Sequence, residues 1–300
     1  MDELEIIDII KSNSKSEYIG DDCAYLKELG IVFSQDNLTE DVHFKRDWYT
    51  PYDLGYKSAA VNISDILASG AKPAYLSLGI SLPNGTTPVE IADFIKGIKD
   101  ASCDAELIGG DTTATIQNKL FISITAIGVT KGRKISSRKN AKAGYVVAVS
   151  GEHGSSAAGL KQLQLGDNKS DLIQAHIRPQ LDIEFSKTIS ENIKDDYAMM
   201  DTSDGLCDAL FKIAESSGVK IIADYSKIPH NPQVNKHDVL FGGEDYKLVA
   251  AIPENFAKEH SLTIIGRVLE YDGTRLEIDN DRYCSYNELD TYKHFGGDND

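Results

Sequence analysis

The chemistry in this sequence sits in its carboxylates. Asp36 follows the apolar run IVFSQ, Asp111 follows AELIGG, and Asp201 follows YAMM, so three strand-like runs read as ending in aspartate. In open α/β sheets ligands bind at the carboxyl ends of strands, where such residues can converge on one cleft. Further acids stand in short motifs: Asp21 and Asp22 in IGDDCAYL, Asp65 in VNISDILASGA, Asp204 in MDTSDGL, and Glu244 with Asp245 in FGGEDYKL. Carboxylates gathered at one point repel, and hard divalent cations with oxygen ligands relieve that repulsion. Gly20, Gly109, Gly110, Gly242 and Gly243 lie just before the acids, which suits tight turns or close backbone approach to phosphate. Each motif alone has a plainer reading: an Asp after a strand often caps the next helix, and Gly-Gly-Asp is ordinary turn chemistry. The set is stronger than its members.

Other catalytic machinery is missing. There is no GxxxxGK[ST] phosphate loop, no GxGxxG dinucleotide turn, no HExxH and no GxSxG elbow. The stretch from Asp279 begins like a calcium loop, but Cys284 stands where the sixth-position glycine is needed. His43 could meet an anion, or be a packing histidine. Arg138 and Lys139, in the basic stretch KGRKISSRKNAKAG, could meet phosphate, or belong to a solvated linker.

The elements that must position these residues form an α/β pattern. Apolar runs at Ile31, Ala74, Lys119, Tyr145, Val219 and Tyr246 read as strands, and Pro51–Ser69, Pro88–Asp100, Ser156–Leu165 and Leu206–Ser216 read as helices. The basic stretch marks a boundary near Lys139, giving an N-terminal unit over 1–139 and a C-terminal unit over 140–300. The closing GGDND reads as a fraying polar tail. At 300 residues with 26% charged residues the chain is expected to fold around a sizeable core. Lys plus Arg number 31 against 47 Asp plus Glu, a formal charge of −16, which repels a nucleic-acid backbone. A phosphate substrate would need local cations at its site. Cys23, Cys103, Cys207 and Cys284 form no CxxC pair, the N-terminus is acidic where a signal peptide would be basic, and no apolar run reaches membrane-span length. A cytoplasmic protein with reduced thiols, and neither nucleic-acid nor membrane partner, is expected.

In order, IGDDCAYL, FSQDNLTEDVHF, YKSAAVNISDILASGAKPAYLSLGISLP, LIGGDTT, SSRKNAKAG, SSAAGL, MDTSDGL, FGGEDYKL and YKHF closely resemble the thiamine-monophosphate kinases, of the superfamily that includes aminoimidazole ribonucleotide synthetase. The resemblance spans nearly the whole chain. It implies two α/β domains, an N-terminal one whose sheet pairs with its twin across a homodimer and a C-terminal one with a mixed sheet and helices. It implies several Mg²⁺ ions held by Asp22, Ser34, Gln35, Asp36, Asp65, Asp111, Asp201 and Asp204, with Gln35 standing where the family usually has threonine. It implies ATP contacts at Gly110, Asp111, Arg138 and Ser203, and contacts to thiamine monophosphate at His43, Glu244 and Tyr292. Ser155 replaces a common aspartate before SAAGL, and RPQLD at Arg178 lacks a second arginine usual there.

The implied reaction is ATP plus thiamine monophosphate giving ADP plus thiamine diphosphate, the last step of thiamine diphosphate biosynthesis. Physical chemistry is consistent with it. Both reactants are phosphates, so metal ions must separate their charges, and an acceptor phosphate with a second pKa near 6 needs no general base at neutral pH. Two rivals remain at this stage. Another ATP-using synthetase of the superfamily would want a reactive cysteine in a glycine-rich loop or at the C-terminus, a context Cys23 lacks. A non-catalytic metal- or nucleotide-binding module is the second.

Overall fold

The computed structural model describes residues 3–166 and 170–292; GGDND and the last three residues of YKHF lie outside them. Helix α1 (Glu3–Ser14) leads into a five-stranded sheet. Its strands are β1 (Ala24–Leu26), β2 (Ile31–Thr39), β3 (Lys72–Leu82), β4 (Glu106–Ala114) and β5 (Phe121–Val129), in the order β1-β2-β5-β3-β4. The second sheet has seven strands: β6 (Tyr145–Val149), β7 (Ala198–Asp201), β8 (Val219–Ala223), β9 (Leu248–Pro253), β10 (Thr263–Glu270), β11 (Leu276–Ile278) and β12 (Asp281–Tyr283). Their order is β12-β11-β8-β10-β6-β9-β7, mixed because β8 and β11 run parallel.

Helix α2 (Pro51–Ala68) is the axle of the molecule. Thr50 and Asp53 form a capping box over Pro51 in its first turn. It packs against β2, β3 and β5 on one side and against β7, α5 (Asp171–Ile177) and α6 (Ile183–Asn192) on the other. A helix enclosed all round needs small and apolar residues all round, and SAAVNIS supplies them. Helix α3 (Pro88–Ala101) crosses α2 so closely that a Cβ on Gly55 would lie 2.0 Å from the Phe94 carbonyl oxygen. Helix α4 (Ser155–Gln164) follows β6, and α7 (Leu206–Ser217) follows β7. One apolar core runs from Val32 and Ile63 through Val146, Met199 and Leu248, so it joins the two sheets. A second lies on the far face of the seven-stranded sheet, from Val147 and Val149 to Phe211 and Ile221. Strand β6 is covered on both faces, hence the continuous YVVAV.

The strands and helices expected at the named positions form. The placement of two aspartates differs from expectation: Asp36 and Asp111 lie inside β2 and β4 rather than at strand ends, and Asp201 alone closes its strand. The TIIGRVLE strand, β10, was not anticipated. Its Gly266 interrupts the apolar pattern because a Cβ there would lie 2.1 Å from the Ile222 carbonyl oxygen, across a bulged pairing. No helix among the described residues is long and apolar enough to cross a membrane.

Candidate active site

Three carboxylates from distant parts of the chain meet where the two sheets face each other. Asp22 comes from the loop before β1, Asp65 from the last turns of α2 and Asp201 from the end of β7, each with an oxygen within 4.8 Å of the others. Ser34 and Asp36 share the covered face of β2 by its two-residue period. Ser34 Oγ donates to Asp65 Oδ2, and the Asp36 amide donates to Asn62 Oδ1 at 3.0 Å. Asp201 accepts from Ser64 Oγ at 2.7 Å and from Ser203 Oγ at 3.2 Å.

Crowding has the electrostatic result that Coulomb's law requires. Burial, then Asp36, Asp201 and Asp22, push the Asp65 carboxyl well above its usual range. Burial and Asp22 push Asp201 up to about 7. Burial likewise raises Asp36, with Asp204 and Asp22 adding to it. Asp22 Oδ2 is buried with no hydrogen-bond partner. An oxygen-only donor set with an orphaned buried acceptor fits a hard divalent cation.

Two basic side chains border the acids. Arg138, on a short helical turn between the sheets, donates through Nη2 to Asp22 Oδ1, and its backbone amide donates to Asp21 Oδ1 at 3.3 Å. Lys212 on α7 lies 3.0 Å from Asp204 Oδ2 and 2.9 Å from Asp208 Oδ2. Lys212 escaped sequence reasoning, although its spacing of four from Asp208 on one helix was a readable signal.

Asp65 and Asp201 line a cavity of about 720 Å³ together with Asp36, Asp204, Ser203, His43, Trp48, Glu244 and Tyr292. The Thr39 amide donates to His43 Nδ1 at 3.0 Å, so in the neutral ring Nε2 carries the proton. Burial alone would raise the Glu244 carboxyl, but the Lys57 ammonium leads the contacts that outweigh it and hold it below the usual range.

The structure does not bring every expected ligand to this cluster. The Gln35 side chain points to the opposite face of the first sheet, where it bonds Ser123 Oγ and Thr125 Oγ1 at 3.2 and 3.1 Å. Asp111 is exposed on the edge strand β4. Its register runs through Gly79 and Ser123 to Asn37, so it shares the open face with Gln35, and three strand spacings of about 4.8 Å separate it from β2. Gly110, with φ 149°, would drive a Cβ to 1.7 Å from the Leu78 carbonyl oxygen, so only glycine fits there.

Two facing sheets with an acidic trio between them define the class, and residues 20–130 match the family model described as AIR synthase related protein, N-terminal domain. The thiamine-monophosphate kinase of Bacillus subtilis is 34% identical, covering 98% of this chain and all of its own length. That of Aquifex aeolicus is 34% identical over 90% of this chain and 92% of its own. Among solved structures, AaThiL complexed with AMPPCP and TMP superposes with a TM-score of 0.88 at 32% identity, covering 98% of this chain and 97% of that one. The chain belongs to the thiamine-monophosphate kinase family.

Proposed function

We propose that this enzyme transfers the γ-phosphoryl group of ATP in line onto thiamine monophosphate, giving thiamine diphosphate and ADP, with Mg²⁺ required. The observation that carries the reading is the acidic trio, with its orphaned Asp22 oxygen, two of whose members, Asp65 and Asp201, line the same cavity as His43 and Glu244. It is supported by the similarity to the AaThiL complex, in which an ATP analogue and TMP are bound together. Asp22, Asp65 and Asp201 would hold the metal, with Ser34, Asp36 and Asp204 beside them. When bound, Mg²⁺ offsets the repulsion between the phosphates of the two substrates. An acceptor phosphate oxygen forms the new P–O bond, and the β–γ bridging oxygen leaves with its electron pair on ADP. The acceptor is already ionised at neutral pH, so no side chain has to take a proton.

On this reading Arg138 and Ser203 meet ATP, as does Gly110 through its backbone, while His43 Nε2–H, Glu244 and Tyr292 meet thiamine monophosphate. A division of the chain into units over 1–139 and 140–300 is supported by the strands, those of the first sheet ending by Val129 and those of the second lying at Tyr145 and beyond. The open face of the first sheet, with Phe33, Tyr75 and Phe121 exposed, is where a second copy would pack. Gln35 and Asp111 lie on that face, so a homodimer would give both a partner.

Incubation with ATP, Mg²⁺ and thiamine monophosphate, with thiamine species resolved by chromatography, tests the proposal. Thiamine diphosphate and ADP should appear in equal amounts. Comparable phosphorylation of free thiamine, whose alcohol would need a base, would overturn the acceptor assignment.

A further inference from the structure

Behind Glu244 lies a buried polar cluster that the metal and nucleotide contacts do not use. Lys57, in the middle of α2, is fully buried. Its ammonium lies 3.2 Å from Glu244 Oε1, 3.0 Å from Tyr49 Oη and 3.4 Å from His176 Nε2, so each of its three N–H bonds has an acceptor. His176 is buried as well. With Nε2 facing an ammonium, its proton must sit on Nδ1, which lies 3.0 Å from Ser156 Oγ and 3.4 Å from Glu244 Oε2. Burial, then Lys57, push the His176 imidazole down to about 3, so it stays a neutral donor and acceptor. Oε1 of Glu244 thus faces the Lys57 ammonium and Oε2 faces the His176 ring, while 28% of the side chain stays open.

The backbone points the same way. Glu244 adopts a left-handed φ of 66°, an uncommon conformation for a residue with a Cβ, and its amide donates to the Ser203 carbonyl at 2.7 Å. Strain of this kind gathers where a side chain must be aimed. A buried ion pair is a poor device for stability alone, since apolar residues of similar volume often serve as well.

We propose that Lys57, backed by His176, is a positioning residue for the acceptor: it clamps the Glu244 carboxylate in one orientation, leaving the cavity edge to receive the cationic, N–H-donating body of thiamine monophosphate. This rests on the reading that Glu244 meets the acceptor. The clamp acts on acceptor binding and leaves the ATP and metal sites untouched.

Steady-state kinetics of Lys57→Met, Lys57→Arg, Glu244→Gln and the double variant Lys57→Met/Glu244→Gln test it. Lys57→Met should raise KM for thiamine monophosphate about tenfold or more, with KM for ATP within about twofold. Lys57→Arg should recover part of that loss. The double variant should be no worse in acceptor KM than Glu244→Gln alone, because both changes disable one device. An acceptor KM unchanged in Lys57→Met but raised in Glu244→Gln would overturn the clamp. An unchanged acceptor KM in Glu244→Gln would instead overturn the site assignment beneath it. Should Lys57→Met not fold, His176→Leu carries the test: a selective rise in acceptor KM supports the clamp, and no change overturns it.

Discussion

Arg138 and Asp22, 116 residues apart in sequence, form an ion pair on one carboxylate of the acidic trio. The chain therefore sets a cation of its own against the acidic trio, as Lys212 does against Asp204.

Metal should control both activity and stability. EDTA should abolish turnover and Mg²⁺ restore it. Asp65→Asn should raise the melting temperature of the metal-free protein, because it removes a carboxylate that burial, then Asp36, Asp201 and Asp22, all oppose. The same variant should lose the Mg²⁺-induced rise in Tm. A Tm response to Mg²⁺ equal to wild type in differential scanning calorimetry would remove Asp65 from the metal site.

Asp111 should matter through assembly. Sedimentation should report a dimer near twice the chain mass of 32.8 kDa. Asp22→Asn and Asp111→Asn homodimers should each be nearly inactive yet folded. Subunits of the two, unfolded and refolded together, should regain about a quarter of wild-type activity, since half the dimers are then mixed and each restores one of two sites. A dimer that regains nothing would place Asp111 outside the partner's site.

Lys212 should be a stability determinant. Asp208 is fully buried, and removing its counter-ion strands a charge. Lys212→Met should cost roughly 3–5 kcal/mol, and Lys212→Met/Asp208→Asn should recover most of it. Chemical denaturation of the three proteins decides: an additive loss in the double variant would contradict the pairing.

Acid should destabilise the fold through buried imidazoles. His153 is fully enclosed with neither ring nitrogen hydrogen-bonded, and burial with nearby Lys247 pushes it down to about 3. Unfolded, the same group titrates near 6.5. Between these values the unfolded chain binds more protons, so stability falls as pH drops below about 6.5. At pH 5 the loss is roughly 2 kcal/mol per such histidine, and His176 adds a second. His153→Leu should raise Tm at pH 5 more than at pH 8. Parallel Tm–pH curves for wild type and variant would contradict this.

Much of the fold was legible because its signals are local. The IVFSQ and FISITAIGV runs alternate with period two or stay apolar, and α2 and α3 each begin with a capping box and proline, so chain-local sterics and hydrogen bonding define them. Strand β10 was hidden because its glycine answers to a carbonyl on another strand.

The residue types alone determined that the chain carries many oxygen donors in short acidic motifs, the kind of set that suits a hard divalent cation once it is gathered at one point. Only tertiary structure decided which acids share a point. Asp22, Asp65 and Asp201 meet because α2 lies between the sheets, whereas the pleat turns Gln35 and Asp111 to the opposite face. Lys57 shows the same division. In sequence it is the one basic residue of α2, and nothing nearby in the chain names its partners. Glu244, His176 and Tyr49 reach it from separate segments, because a buried ammonium must find all its acceptors at once and only packing can deliver them.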